Sequence, residues 1–357
     1  MAEPRTRLLF LDGLRGVALI LMVVNHTARW WIDVSMGWGR YYLVYLSMTL
    51  PAPLFLFLVG FCLPIAFRRR GPEGRPPFLA GMAGYVRRGL TIFLAGYLLN
   101  LVVFPEDPVW SGGVLQTIGL SIIVTAPAMW VLDRRWVRYS VVALAAIAYV
   151  VFAWAMPALT EWLPTHSLAA QMWFLDFPPW PWIGAALVGL VLGWSWLDAR
   201  QRGAEAEARY FRTAVIVGVA CLVAFVAWEW FAGTSPRVAF SRDIMLNRHW
   251  TPRGSTLLGI AGMVALLLAA AYYVMEVRKR AFPWLVVLGQ TALMLYFLHQ
   301  LIVLTLINQA LGQRFNHWGL YIAANILLLV ALVYLGKAWL YIKRRARRPA
   351  VAPASAG

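Results

Sequence analysis

The chain has 357 residues, 61% of them hydrophobic and 13% charged, with a mean hydropathy of +0.67. Soluble domains average about 45–50% apolar and about 25% charged, so this composition excludes a soluble globular enzyme and describes a polytopic membrane protein. The formal net charge of +17 does not call for a nucleic-acid partner, because basic residues in such a protein record topology and contact with anionic lipid.

Windows of about 20 apolar residues predict ten spans, at 8–28, 43–66, 86–104, 113–132, 139–157, 180–197, 213–232, 255–275, 283–307 and 319–341. The expected fold is an all-α integral membrane protein of about ten transmembrane helices. Residues 1–345 read as a single polytopic domain, and 346–357 as a short cytoplasmic tail. No repeat period is evident. The two cysteines, Cys62 and Cys221, sit in apolar runs without disulfide or metal spacing and read as packing residues. With the N-terminus in the cytoplasm, twenty-three Lys and Arg fall in inside segments. Seven fall outside: Arg29, Arg40, Arg237, Arg242, Arg248, Arg253 and Arg314. This bias predicts that both termini are cytoplasmic.

The first span carries Asp12, Arg15, Asn25 and His26. Asp12 and Arg15 interrupt its apolar run and no small-residue cleavage site follows, so it reads as a retained helix and not a secretory signal. Charges within a membrane helix cost roughly 2.5–3.5 kcal/mol each on insertion scales, and usually face the protein interior. Eleven residues separate Arg15 from His26, which puts them on nearly the same face, about 16 Å apart along the axis. Asp12 can pair with Arg15 as a structural ion pair. Alternatively, Arg15 contacts a phosphate or pyrophosphate, for which a guanidinium is well shaped. His26 is either an interfacial polar residue or a general base acting on an acceptor hydroxyl or amine.

Between the second and third spans lie Arg68, Arg69, Arg70, Arg75, Arg87 and Arg88, interspersed with glycine and proline. They serve as a positive-inside signal, or also as a landing surface for an anionic cytoplasmic donor. Asn100 and Gln116 read as helix–helix polar glue, with Gln116 also a substrate-site candidate. Prolines and tryptophans, Trp182 among them, open the sixth span, where irregular backbone at the outer face can line a cavity. The loop after the seventh span holds four of the outside arginines with His249, either a solvated loop or a basic mouth for an anionic or polar acceptor. The ninth span carries Tyr296 and His299 on one face, with His299 at a depth similar to His26. No P-loop, GxGxxG, zinc signature or GxSxG element is present. That counts against an ATP-driven pump, a nicotinamide oxidoreductase and a serine hydrolase.

Leu11-Asp12-Gly13-Leu14-Arg15-Gly16, with ten residues between Arg15 and His26, resembles the opening of the transmembrane acyltransferases, which include the acyltransferase-3 type and the heparan-α-glucosaminide N-acetyltransferase type. Pro53 to Gly60, Gly113 to Leu120, Phe177 to Gly184 followed by Gly193, and Gly289 to His299 are similar, in order, to motifs of the second type. The resemblance implies transfer of an acyl group, in the first instance acetyl, from cytoplasmic acyl-CoA to a sugar or glycan at the extracytoplasmic face. It implies no metal. It sets Arg15 on the donor side, where the residues themselves add Asp12, Arg87 and Arg88. It sets His26 at the acyl-transfer centre; the residues themselves add His299 and Tyr296 as assisting groups and Asn25, Gln116, Trp182 and His249 toward the acceptor. The partners expected are membrane lipid, a coenzyme A thioester and the glycan acceptor, in the cell inner membrane, with homo-oligomerisation left open. After His26, Thr27-Ala28-Arg29-Trp30-Trp31 departs from the glycine-rich sequence of the animal enzymes, so heparan is not carried over as acceptor. A transporter or flippase, or a non-catalytic scaffold, would share the intramembrane charges without covalent chemistry.

Overall fold

The computed structural model describes residues 8–37, 50–70, 77–162, 167–168, 177–231 and 254–346. These are helical, with one isolated parallel bridge between Ile32 and Phe315 and no strand among them. Eleven α-helices follow in chain order: α1 (Leu9–Trp31), α2 (Pro51–Arg70), α3 (Phe78–Val103), α4 (Val114–Thr125), α5 (Arg135–Trp162), α6 (Pro179–Gln201), α7 (Ala204–Phe231), α8 (Gly254–Tyr272), α9 (Pro283–Gln290), α10 (Ala292–Gln300) and α11 (Trp318–Arg345). A 3-10 turn extends α4 to Trp130. π-helical turns follow α8 (Tyr273–Val277) and α10 (Leu301–Ala310). Among the described residues nine helical segments are long and apolar enough to cross a bilayer, and a shorter apolar one covers Val114–Trp130. The ten coincide in position with the ten predicted spans.

The chain forms two compact units, residues 1–41 with 271–357, and residues 42–270. In the first, α1 packs closely on α9. A Cβ on Gly16 would strike the Leu285 carbonyl, and one on Gly289 the Asp12 carbonyl. Gly16, in the Asp-Gly-Leu-Arg-Gly run, and Gly289 therefore have a packing role: they let two helix backbones touch. At its other end α1 is tied down by polar bonds. Trp31 Nε1 donates to the Val303 carbonyl at 2.9 Å, and Asn308 Nδ2 to the Trp30 carbonyl at 2.7 Å. Both partners lie in the π-helical turn after α10, and π-turns occur disproportionately at functional sites.

The second unit is built on α2 against α6, where Gly60 and Gly189 allow backbone approach from both sides. At one end Asp198 of α6 is held between Arg68 of α2 and Arg138 of α5, both at 2.6 Å. Arg68 also lies over the Trp194 ring at 4.5 Å. α6 opens with a cis Trp180–Pro181 bond and a non-helical Trp180.

Candidate active site

α1 carries two polar groups in the first unit. The first is local. Asp12 is buried, and its Oδ1 lies 3.0 Å from an Arg15 nitrogen, while Gln290 Nε2 donates to its Oδ2 at 3.5 Å. Arg15 keeps 31% of its side chain exposed. The acid is thus enclosed by α1 and α9, and the cation reaches outward from it.

The second group joins residues far apart in sequence. His26 Nδ1 lies 2.9 Å from His299 Nε2. The ring planes are within 5° of parallel, with centroids 5.1 Å apart. A nitrogen contact that short at that centroid separation means the rings meet edge to edge in one plane, not face to face. The other nitrogen of His299, Nδ1, lies 2.9 Å from the Leu295 carbonyl. A carbonyl only accepts, so His299 Nδ1 carries a proton. In the neutral ring Nε2 is then a bare acceptor. His26 Nδ1 must supply the proton between the rings, and His26 Nε2 is left with an open lone pair. It has no hydrogen-bond partner among the described residues. One backbone carbonyl thereby fixes the tautomers of two histidines in series.

Burial follows the same division. His299 is 0% exposed, whereas His26 is only half-buried. Tyr296 meets the His299 ring edge-on at 5.6 Å, and Trp30 lies against His26 at 5.1 Å. Thr27, next to His26, anchors the helix rotationally. Its hydroxyl donates to Asn325 Oδ1 of α11 at 2.7 Å and lies 3.2 Å from the Tyr321 hydroxyl. Asn325 Nδ2 in turn donates to the Tyr321 carbonyl at 2.9 Å. Sequence reasoning did not single out Thr27, Tyr321, Asn325, Gln290 or Asn308. The signal for Asn325 was its amide within a long apolar helix.

The structure brings His26, His299 and Tyr296 together, and Asp12 with Arg15. Asn25 is half-buried on α1 beside His26. Arg87, Arg88, Gln116 and Trp182 belong to the second unit. Arg87 and Arg88 are exposed on α3. Gln116 is buried, and its amide donates to the Ser111 carbonyl at 3.4 Å, a carbonyl that Asn100 also engages at 2.8 Å. These two amides hold the turn between α3 and α4. Trp182 is 2% exposed and parallel to the Phe177 ring at 5.8 Å. His249 lies outside the described residues, as does the rest of its loop. Among the described residues no cluster of three His, Cys, Asp or Glu is placed to hold a metal ion.

Residues 7–228 match the family model for the catalytic domain of heparan-alpha-glucosaminide N-acetyltransferase. No curated protein matches the chain. The matched segment takes in α1, with Asp12, Arg15 and His26, and runs nearly to the end of α7. His299 and Tyr296 lie beyond it. The match spans more than half of the 357 residues, and the chain belongs to this family of membrane acetyltransferase catalytic domains.

Proposed function

We propose that the protein transfers an acyl group, acetyl in the first instance, from cytoplasmic acyl-CoA to a sugar or glycan acceptor at the extracytoplasmic face of the cell inner membrane, with both termini in the cytoplasm. The observation that carries this reading is the open Nε2 of His26, oriented by His299.

That lone pair accepts the proton of the acceptor hydroxyl or amine as its oxygen or nitrogen attacks the thioester carbonyl. The carbon–sulfur bond then breaks, and the coenzyme A thiolate takes the proton back from His26. The positive charge that His26 carries in between is shared through its Nδ1–H with His299 Nε2, and beyond that with the Leu295 carbonyl. His299 orients the base and is not itself a proton acceptor from substrate, the division of labour of a triad's third member. Alternatively the same lone pair attacks the thioester carbonyl, the carbon–sulfur bond breaks and coenzyme A leaves as thiolate, and the acceptor then takes the acyl group from the acyl-histidine, its proton passing to the thiolate.

Arg15 supplies the donor-side cation. Its Cα lies about 16 Å along α1 from that of His26, and Asp12, itself held by Gln290, pairs with it. Orientation rests on the Lys and Arg bias between alternate loops. Reporter fusions at the C-terminus and within 233–254 are expected on opposite sides of the membrane.

The test is acceptor-dependent release of coenzyme A from acetyl-CoA by the purified protein in vesicles. Release that requires His26 supports the reading. Movement of a sugar or lipid without thioester cleavage would instead assign a transporter.

A further inference from the structure

The second unit contains an apolar groove of about 1000 Å³ between α2, α5, α6, α7 and α8. That is the upper end of the roughly 300–1,000 Å³ typical of small-molecule sites. Its walls are made of the wrong residues for an accidental gap. Ala146 of α5, Ala185 of α6, and Ala261 and Ala265 of α8 all face it. Small residues at such positions normally let membrane helices close on one another. Here they line open space instead, which gives hydrocarbon chains a smooth surface.

The two ends of the groove differ. Buried Trp182 and exposed Trp228 line one end, Trp228 in keeping with an interfacial belt. Arg202, in the α6–α7 turn, and Arg209, in the second turn of α7, line the other. Glu205 lies 4.0 Å from Arg209, but both side chains are well exposed, and such a pair contributes little. Its guanidinium can therefore exchange that contact for a phosphate. Glu207 is engaged by Trp196 Nε1 at 2.9 Å and by Arg200 at 3.8 Å, and none of the three lines the groove.

We propose that this groove holds one anionic phospholipid, with its phosphate between Arg202 and Arg209 and its acyl chains along the alanine-lined walls. Basic pockets between membrane helices recognise lipid headgroups in this way. The inference is independent of the acyl-transfer reading.

Native mass spectrometry of the purified full chain tests it, with phosphatidylglycerol and phosphatidylcholine offered in equal amount. The wild type is expected to retain one phosphatidylglycerol in preference to phosphatidylcholine. Arg202→Gln and Arg209→Gln should each weaken that preference about fivefold, and the double variant about 25-fold. Both positions are on the surface, so folding is preserved and size-exclusion elution should not change. Ala265→Phe should reduce retention of the lipid while both arginines remain. Equal retention of the two lipids, or full preference in the double arginine variant, would overturn the proposal. Displacement of the phospholipid by an equal amount of palmitoyl-CoA would also overturn it, by assigning the groove to a donor chain.

Discussion

The two polar groups on α1 solve the problem of burying polarity in opposite ways. Near the start of the helix, Asp12 and Arg15 neutralise each other within one turn of the same helix. Near its end, His26 finds its partner 273 residues away on α10. The first arrangement holds full charges, and its geometry is set almost entirely by local helix spacing. The second holds neutral rings whose protons are assigned by a single backbone carbonyl, and it exists only if α1 and α10 pack in one register. A charged pair suits binding of a charged group. A neutral base with a fixed tautomer suits proton transfer.

The largest effect expected from breaking this contrast is at His26. His26→Ala should reduce acyl transfer by about 10²–10⁴-fold, the usual contribution of a general base, while coenzyme A binding survives because Arg15 lies about 16 Å away along the helix. Loss of donor binding in this variant, measured by calorimetry, would mean that the two ends of α1 are not separate in function. Next is Arg15→Ala, which should raise the acyl-CoA dissociation constant about tenfold or more, from the ~1.5–3 kcal/mol of a charge-assisted hydrogen bond. If Arg15 only neutralises Asp12, the Asp12→Ala, Arg15→Ala double variant should regain much of the lost activity, since no buried charge is then left unpaired. Such recovery would remove Arg15 from the donor site.

Smaller effects concern the packing that holds the two groups in place. Gly289→Leu drives a side chain into the Asp12 carbonyl, and overpacking of this kind costs about 1–3 kcal/mol. Thermal unfolding should register that loss, with the Asp12 end disturbed more than the histidine pair. Thr27→Val removes the hydroxyl shared with Asn325 and Tyr321. Interhelical hydrogen bonds in membranes average about 0.6 kcal/mol, with a maximum near 1.7, so the loss of stability should be slight. A drop in turnover larger than the drop in stability would show that this bond aims His26 as well as holding α1 against α11.

The same contrast explains what was legible in the sequence. Span positions follow from hydropathy: among the described residues nine long apolar segments and one shorter one overlap the ten apolar windows, residues 43–49 of the second window lying outside the described residues. Helix starts are less legible, because hydropathy detects the membrane core and not the turns beyond it. α3 begins at Phe78 and not at 86, and α7 at Ala204 and not at 213, the latter with Arg209 and Arg212 in the part missed. The break in the ninth span at Thr291, and the π-helical turn over Leu301–Ala310, leave no trace in an apolar pattern. The Asp12–Arg15 pair was legible because three residues on a helix is a distance. His26 and His299 were legible as candidates of similar depth. Their meeting was not, since register between helices is a tertiary outcome. Gln116 and Trp182 show the same limit: their contacts, a hydrogen bond to the Ser111 carbonyl and stacking on Phe177, are set by tertiary packing that the motif does not announce.

The central claim is that His26 is the base and that His299 works only through it. A double-mutant cycle on acyl transfer in reconstituted vesicles addresses this directly. The account predicts that His26→Ala lowers transfer by about 10²–10⁴-fold, that His299→Ala lowers it by a similar or smaller factor, and that the double variant is no worse than His26→Ala alone, as for residues acting as a unit. Losses that multiply in the double variant, or a His26→Ala protein that transfers at the wild-type rate, would contradict it.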